Sequence, residues 1–163
     1  MITVGILTIS DKGSKGERED LSGREIERMV RDLPAEVKAY EIIPDEIDII
    51  KERLIEFVDV KGLDIVLTTG GTGVSPRDVT PEATRVVIEK ELPGIAEAMR
   101  AESLEKTPNA MLSRAVAGIR KQSIIINLPG SPKAVRENLS VILPALSHAV
   151  EKLKGDTTEC GKP

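Results

Sequence analysis

Apolar residues recur along this chain in two rhythms, short unbroken runs and spaced stripes, and the alternation predicts strands alternating with helices. Residues 4–9, Val-Gly-Ile-Leu-Thr-Ile, form a short apolar run bounded by Ser10-Asp11-Lys12-Gly13, which predicts a buried strand opening into a loop. Over residues 21–33 the positions Ile26, Met29, Val30 and Leu33 share one face of a helix. Residues 37–43 read as a second strand ended by Pro44, and Asp45 is placed to cap a helix over 46–60 with Ile47, Ile50, Leu54 and Val58 as its stripe. Residues 63–69 are continuous enough in apolar character for a strand covered by helices on both faces.

Beyond a glycine-rich loop, Thr80 reads as a helix cap and Pro81 as the first helical residue, with Val86, Val87 and Ile88 carrying the helix toward Pro93. A further helix is expected over 95–105, and strands over 115–119 and 123–128, parted by the basic turn Arg120-Lys121-Gln122. Pro129-Gly130-Ser131-Pro132 makes a second rigid loop. From Lys133 the spacing of Leu139, Ile142, Leu143, Leu146, Val150 and Leu153 marks a long amphipathic helix, interrupted or kinked near Pro144. The expected class is therefore α/β, a three-layer sandwich with a mostly parallel central sheet and helices on both faces, over residues 1–154, with a flexible tail over 155–163. Ligands of such sheets bind beyond the carboxyl ends of the strands. The loops 10–16, 44–45, 70–78 and 129–132 all follow predicted strands, so they gather on one rim.

Composition narrows the chemistry. A chain of 163 residues suits one domain, and one of this size buries roughly 68–70% of its unfolded surface. With 40% apolar and 31% charged residues and a net charge of -4, the chain lacks the basic stripe of a nucleic-acid binder. The first ten residues carry neither a basic flank nor a small-residue cleavage site, and no run is long enough to span a bilayer, so cytoplasmic residence without a membrane partner is expected. The single cysteine, Cys160, excludes an internal disulfide and a Cys-based zinc cluster, and the single histidine, His148, leaves no multi-His metal site. Phe57 and Tyr40 are the only aromatics, so the core must be aliphatic.

The chemistry concentrates in Thr68-Thr69-Gly70-Gly71-Thr72-Gly73-Val74-Ser75-Pro76-Arg77-Asp78. Gly70, Gly71 and Gly73 bare the backbone for an anion, while Thr69, Thr72 and Ser75 add hydroxyls. No Lys-Ser or Lys-Thr pair follows Gly73, so this is not a P-loop, and the dinucleotide fingerprint is incomplete. Asp78 serves either as a helix cap or as a hard oxygen ligand for magnesium shared with substrate phosphates. Asp45 opens a helix too, but its place after the second strand lets it face Asp78 across the rim, where two carboxylates hold magnesium better than one. Asp11 and Lys12 offer an acceptor and a charge near a nucleotide, or are loop charges. Arg114, Arg120 and Lys121 are solvated charges or, as basic residues around the second loop, ligands, with Arg114 counted among the substrate- and nucleotide-binding candidates; the loop itself offers a helix N-terminus to an anion.

Taken together, Thr69-Gly70-Gly71-Thr72-Gly73, Arg77-Asp78-Val79-Thr80-Pro81-Glu82, Leu112-Ser113-Arg114-Ala115-Val116-Ala117-Gly118 and Asn127-Leu128-Pro129-Gly130-Ser131-Pro132 resemble the molybdopterin-binding domain of molybdenum cofactor biosynthesis. The resemblance spans nearly the whole chain, is nearest the MogA-type adenylyltransferases, and extends to the G domain of gephyrin. It implies transfer of AMP from magnesium-bound ATP to the terminal phosphate of molybdopterin, with release of pyrophosphate. On the matching positions it implies Asp45 and Asp78 as catalytic acids and magnesium ligands, and Gly70, Gly71, Thr72 and Gly73 as the phosphate site. Ser103 and Ser113 fall on the pterin side, and Ser10, Asp11, Pro129, Gly130 and Ser131 beside the nucleotide. A homotrimer is implied, as is a downstream molybdenum-insertion protein receiving the product. Against the enzyme stand a non-catalytic molybdopterin carrier of the MoaB branch and, last, a scaffold; the retained acid pair favours the enzyme, because binding a pterin needs no magnesium.

Overall fold

The computed structural model describes residues 1–158, and Cys160 and the end of the expected tail lie outside them. Six strands, β1 (Ile2–Ile9), β2 (Ala35–Ile43), β3 (Ile65–Thr69), β4 (Lys90–Glu91), β5 (Ala117–Arg120) and β6 (Ser123–Leu128), form one sheet in the order β2-β1-β3-β6-β5-β4. Strands β1, β2, β3 and β6 run parallel. Then β5 returns antiparallel to β6, with β4 antiparallel to β5 at the edge. The mostly parallel sheet of the sequence reading is thus mixed at one end, where the 120–122 turn, with Lys121 at φ 52°, is a tight reversal.

Alternation along the central strands sorts their side chains onto two faces. Val4, Ile6, Ile65, Leu67, Ile124 and Ile126 point to one core under α2 (Leu21–Val30), α5 (Pro93–Leu104) and α6 (Pro132–Leu153). Leu7, Ile9, Val66 and Ile125 point to the other, under α3 (Ile47–Ile55) and α4 (Thr80–Val87). The expected three layers follow. Where Phe57 packs, the sheet carries Gly5: a Cβ there would stand 2.6 Å from the ring.

Several boundaries differ from the sequence reading, each for a local reason. The helix expected over 46–60 is α helix only to Ile55, and continues as a π-helical turn, Glu56–Val60, closed by the Lys61 N–H donating to Glu56 O. Helix α6 runs without interruption through Pro144, an exposed position where one missing hydrogen bond is tolerated. Thr80 is the first residue of α4 and Pro81 its second, the cap position being Val79. The short α1 (Asp11–Ser14) and a 3₁₀ turn at Pro108–Leu112 carry no periodicity by which the sequence could announce them.

Candidate functional site

The strand order places β1 between β2 and β3, so the chain leaves β1 toward one side and β3 toward the other, and a crevice opens at their carboxyl ends. A cleft of about 480 Å³ lies there, within the usual range for small-molecule sites. Ser10 follows β1, Asp45 follows β2, Thr69, Gly70, Gly71 and Asp78 come from β3 and its loop, and Gly130 and Ser131 follow β6; all line the cleft. The four loops expected on one rim do meet there.

The glycine loop is built so that its N–H groups stay free. Thr80 Oγ1 donates to Gly70 O and Thr80 N to Gly71 O, while Arg114 N donates to Thr72 O and Arg114 Nε to Gly73 O. In a trans peptide the N–H points opposite to the carbonyl before it, so four anchored carbonyls turn the next N–H groups away from the anchors. Among the described residues, the N–H groups of Gly71, Thr72 and Gly73 donate to no acceptor in the chain. Only glycine fits the two entry positions. Gly70 has φ +96° and a Cβ there would lie 2.3 Å from Ile9 O; Gly71 has φ +68° and a Cβ would lie 2.3 Å from Thr80 Oγ1.

Neither acid is a helix cap. Asp45 Oδ2 accepts from Asp11 N at 2.9 Å, and Asp45 N in turn donates to Asp11 Oδ1, locking the ends of β1 and β2 together. Asp78 Oδ2 accepts from Ser75 N at 2.9 Å. Among the described residues the other oxygen of each, Asp45 Oδ1 and Asp78 Oδ1, accepts no hydrogen bond from the chain. Burial pushes Asp45 above the ordinary aspartate range; the Asp11 N–H works against it, and the charges of Asp11 and Asp78 add to it. Two acids that repel across one cleft, each with an unclaimed oxygen, are a donor set suited to a divalent cation. No group of three His, Cys, Asp or Glu able to hold a metal occurs among the described residues, so further ligands would come from water or substrate.

Other expected residues divide differently. Thr72, Gly73, Ser103, Ser113 and Pro129 line a second cleft of about 270 Å³, more apolar than the first and walled from it by the glycine loop. Ser103 Oγ accepts from Asn138 Nδ2, leaving its own proton to give. Thr69 is fully buried and spends its hydroxyl on Pro129 O. Ser10 and Ser131 accept from Gly13 N and Ala134 N, capping α1 and α6. Ser75 and Asp11 lie outside both clefts: Ser75 is exposed, and Asp11 is bound by Arg77 Nε and Nη2, which hold its carboxyl below the usual range. Arg77 also pairs with Glu46. Arg114 sits behind the loop and is no wall of either cleft.

Arg18, Glu19, Asp20 and Ser22 line the first cleft and do not stand out in the sequence, because Asp20-Leu21-Ser22-Gly23 reads as an ordinary helix start. The Asp20 carboxylate accepts from Thr8 Oγ1, Ser22 Oγ, Gly23 N and the Tyr40 hydroxyl. That complement makes Asp20 a fixed wall. Burial first, then Asp20 beside it, pushes the Tyr40 hydroxyl up, so it stays protonated as a donor. Thr107 and Asn109, at the 3₁₀ turn, line the second cleft.

Comparison with known proteins gives this geometry a family. A model described as "Probable molybdopterin binding domain" matches residues 5–148. Molybdopterin adenylyltransferase of Helicobacter pylori strain J99 is 48% identical over 158 residues, covering 95% of this chain and 89% of that one. The enzyme of the same name from Escherichia coli K12 is 43% identical over 152 residues, 91% of this chain and 77% of that one. The crystal structure of the molybdopterin biosynthesis enzyme MoaB of Thermus thermophilus superposes with a TM-score of 0.90 at 52% identity, covering 96% of this chain and 98% of that one. A match that runs from β1 into α6 takes in both clefts and every loop of the rim, and the chain belongs to the molybdopterin-binding domain family.

Proposed function

We propose that this protein is a molybdopterin adenylyltransferase of molybdenum cofactor biosynthesis. The observation that carries the reading is the pairing, on one cleft, of two acids each with an oxygen unclaimed among the described residues and a loop whose N–H groups are unpaired among them. The names of the similar proteins from Helicobacter pylori and Escherichia coli support it.

In this reading ATP occupies the first cleft, beside Ser10 and the Gly130-Ser131 turn, and the pterin enters the second, with Ser103 and Ser113 giving it hydrogen bonds. The glycine loop, wall of both, holds the phosphates through its N–H groups. A terminal phosphate oxygen of molybdopterin attacks the α-phosphorus of ATP; the new P–O bond forms as the bond to the bridging oxygen breaks, and the electron pair leaves with pyrophosphate. Magnesium, held by Asp45 and Asp78, would neutralise charge on the phosphates. The chain supplies alignment and fixed donors, and needs no nucleophile or histidine base.

The free oxygens of the acids favour turnover over storage of the pterin, since a carrier has no use for them. The resemblance further brings a homotrimer, cytoplasmic residence and hand-over of the product to a molybdenum-insertion protein; no helix among the described residues is long and apolar enough to cross a membrane. The test is pyrophosphate release with protein, molybdopterin, ATP and magnesium. Release that requires all of them supports the transferase, and tight pterin binding without release makes the protein a carrier.

A further inference from the structure

We propose that Arg114 is a positioning residue, which holds the phosphate-binding loop and Asp78 in working geometry from the side opposite the substrates; as a statement about catalysis this rests on the adenylyl-transfer reading above. Its guanidinium donates from Nε to Gly73 O at 2.7 Å, from Nη2 to Asp78 O at 2.7 Å and from Nη1 to Glu82 Oε1, while its own N–H donates to Thr72 O at 2.9 Å. Between the two anchored carbonyls the chain makes an exposed excursion through Val74, Ser75, Pro76 and Arg77. One side chain therefore closes the base of that excursion. It also ties it to the first turn of α4 through Glu82.

Two consequences reach the cleft. Drawing back the carbonyls of Thr72 and Gly73 turns the N–H groups of Gly73 and Val74 away from Arg114, as peptide planarity requires. Fixing Asp78 at its carbonyl fixes the root of a side chain whose Oδ2 accepts from Ser75 N and whose Oδ1 accepts no hydrogen bond among the described residues. Three acceptors on the chain leave the guanidinium structural in place and catalytic in effect. A lysine would bring the charge without the planar fork that meets all three. In the sequence Arg114 reads as a basic residue near the second loop and a candidate substrate-binding residue, and its anchoring role is hidden because none of its four partners is a neighbour in the chain.

Glu82 Oε2 is buried and has no partner among the described residues, although the Glu82 side chain as a whole is 44% exposed, so removing Arg114 leaves a partly exposed carboxylate without its cation as well as loosening the loop. The test therefore uses Arg114→Lys and the pair Arg114→Ala with Glu82→Gln, which strands no charge, alongside Arg114→Ala. We expect kcat to fall roughly 10- to 100-fold in all three with the KM for molybdopterin little changed, as for residues that orient a site from behind. Methylguanidine should restore part of the turnover of Arg114→Ala and none of that of Arg114→Lys. Amide hydrogen exchange, which needs no activity, should show faster exchange at Asp78 and Thr80 in the variants and unchanged protection in β1, β3 and β6. If the wild-type protein makes no product but the exchange changes as stated, the anchoring stands and the transferase reading alone fails. Unchanged exchange in the loop, full turnover in Arg114→Lys, or losses that follow thermal stability alone would overturn the proposal.

Discussion

Asp11 and Asp45 trade hydrogen bonds, each carboxylate accepting from the other's backbone N–H, yet their acidities move in opposite directions. Arg77 holds Asp11 down, whereas burial and the facing charges of Asp11 and Asp78 hold Asp45 up. A carboxyl whose folded pKa lies above its unfolded value destabilises the fold where it is ionised, above the folded pKa, and not below the unfolded one. Asp45→Asn, which keeps an acceptor for Asp11 N, is therefore expected to melt higher than the wild-type protein at neutral pH, the gain vanishing as pH falls through the ordinary aspartate range. Its turnover should drop roughly 100- to 1,000-fold, and that of Asp78→Asn likewise, as when a preorganised electrostatic group is removed. Calorimetry across pH together with pyrophosphate release checks both; a destabilised Asp45→Asn, or either variant at full activity, would contradict these roles. In the sequence both acids stand out from their places after predicted strands, as helix caps or metal ligands, and the structure removes the capping alternative. Their partners do not stand out, because Asp11 and Ser75 are set against them by tertiary packing.

Among the elements, β3 and α4 show what the intervening loop requires. Thr80 is read from sequence as a cap, but it binds Gly70 O and Gly71 O and so fastens the loop to the helix. Fully buried Asn127 extends the tie, giving Nδ2 protons to Thr68 and Thr84 and taking one from Val116 N. Gly71→Ala places a methyl against Thr80 Oγ1 at a positive φ, so a loss of about 1–3 kcal/mol is expected from the backbone alone, with further loss from the displaced hydroxyl. Chemical denaturation measures it, and an unchanged midpoint would refute the strain. The long strands and helices were readable because their periodicity extends over several turns or residues. The two-residue β4, the four-residue α1 and the 3₁₀ turn were not, since pieces so short have no period and are held by neighbours.

Across the molecule, the sheet's far end is closed by Asp64, whose carboxylate accepts from Thr3 N and Oγ1 and pairs with Lys154 Nζ at 2.7 Å beyond α6. Burial works to raise its pKa, but Lys154 and Thr3 outweigh it and hold it below the ordinary value. A depressed pKa adds stability above the unfolded value that is lost as pH falls through the folded one. Asp64→Asn should accordingly lower the melting temperature at neutral pH and matter little in strong acid; an equal deficit at both would remove the electrostatic explanation. The α/β class and the rim were legible from the order of elements, whereas the division of the rim into two clefts depends on how the glycine loop stands between them. That division matters most for the proposed function, which sets a pterin and a nucleotide on either side of one phosphate site. The most direct measurement gives the protein molybdopterin, magnesium and ATP labelled at the α-phosphorus, then separates the products. The α-label is expected in the pterin product, with unlabelled pyrophosphate released in equal amount. A γ-phosphate on the pterin, or pterin bound tightly while the ATP stays intact, would contradict adenylyl transfer.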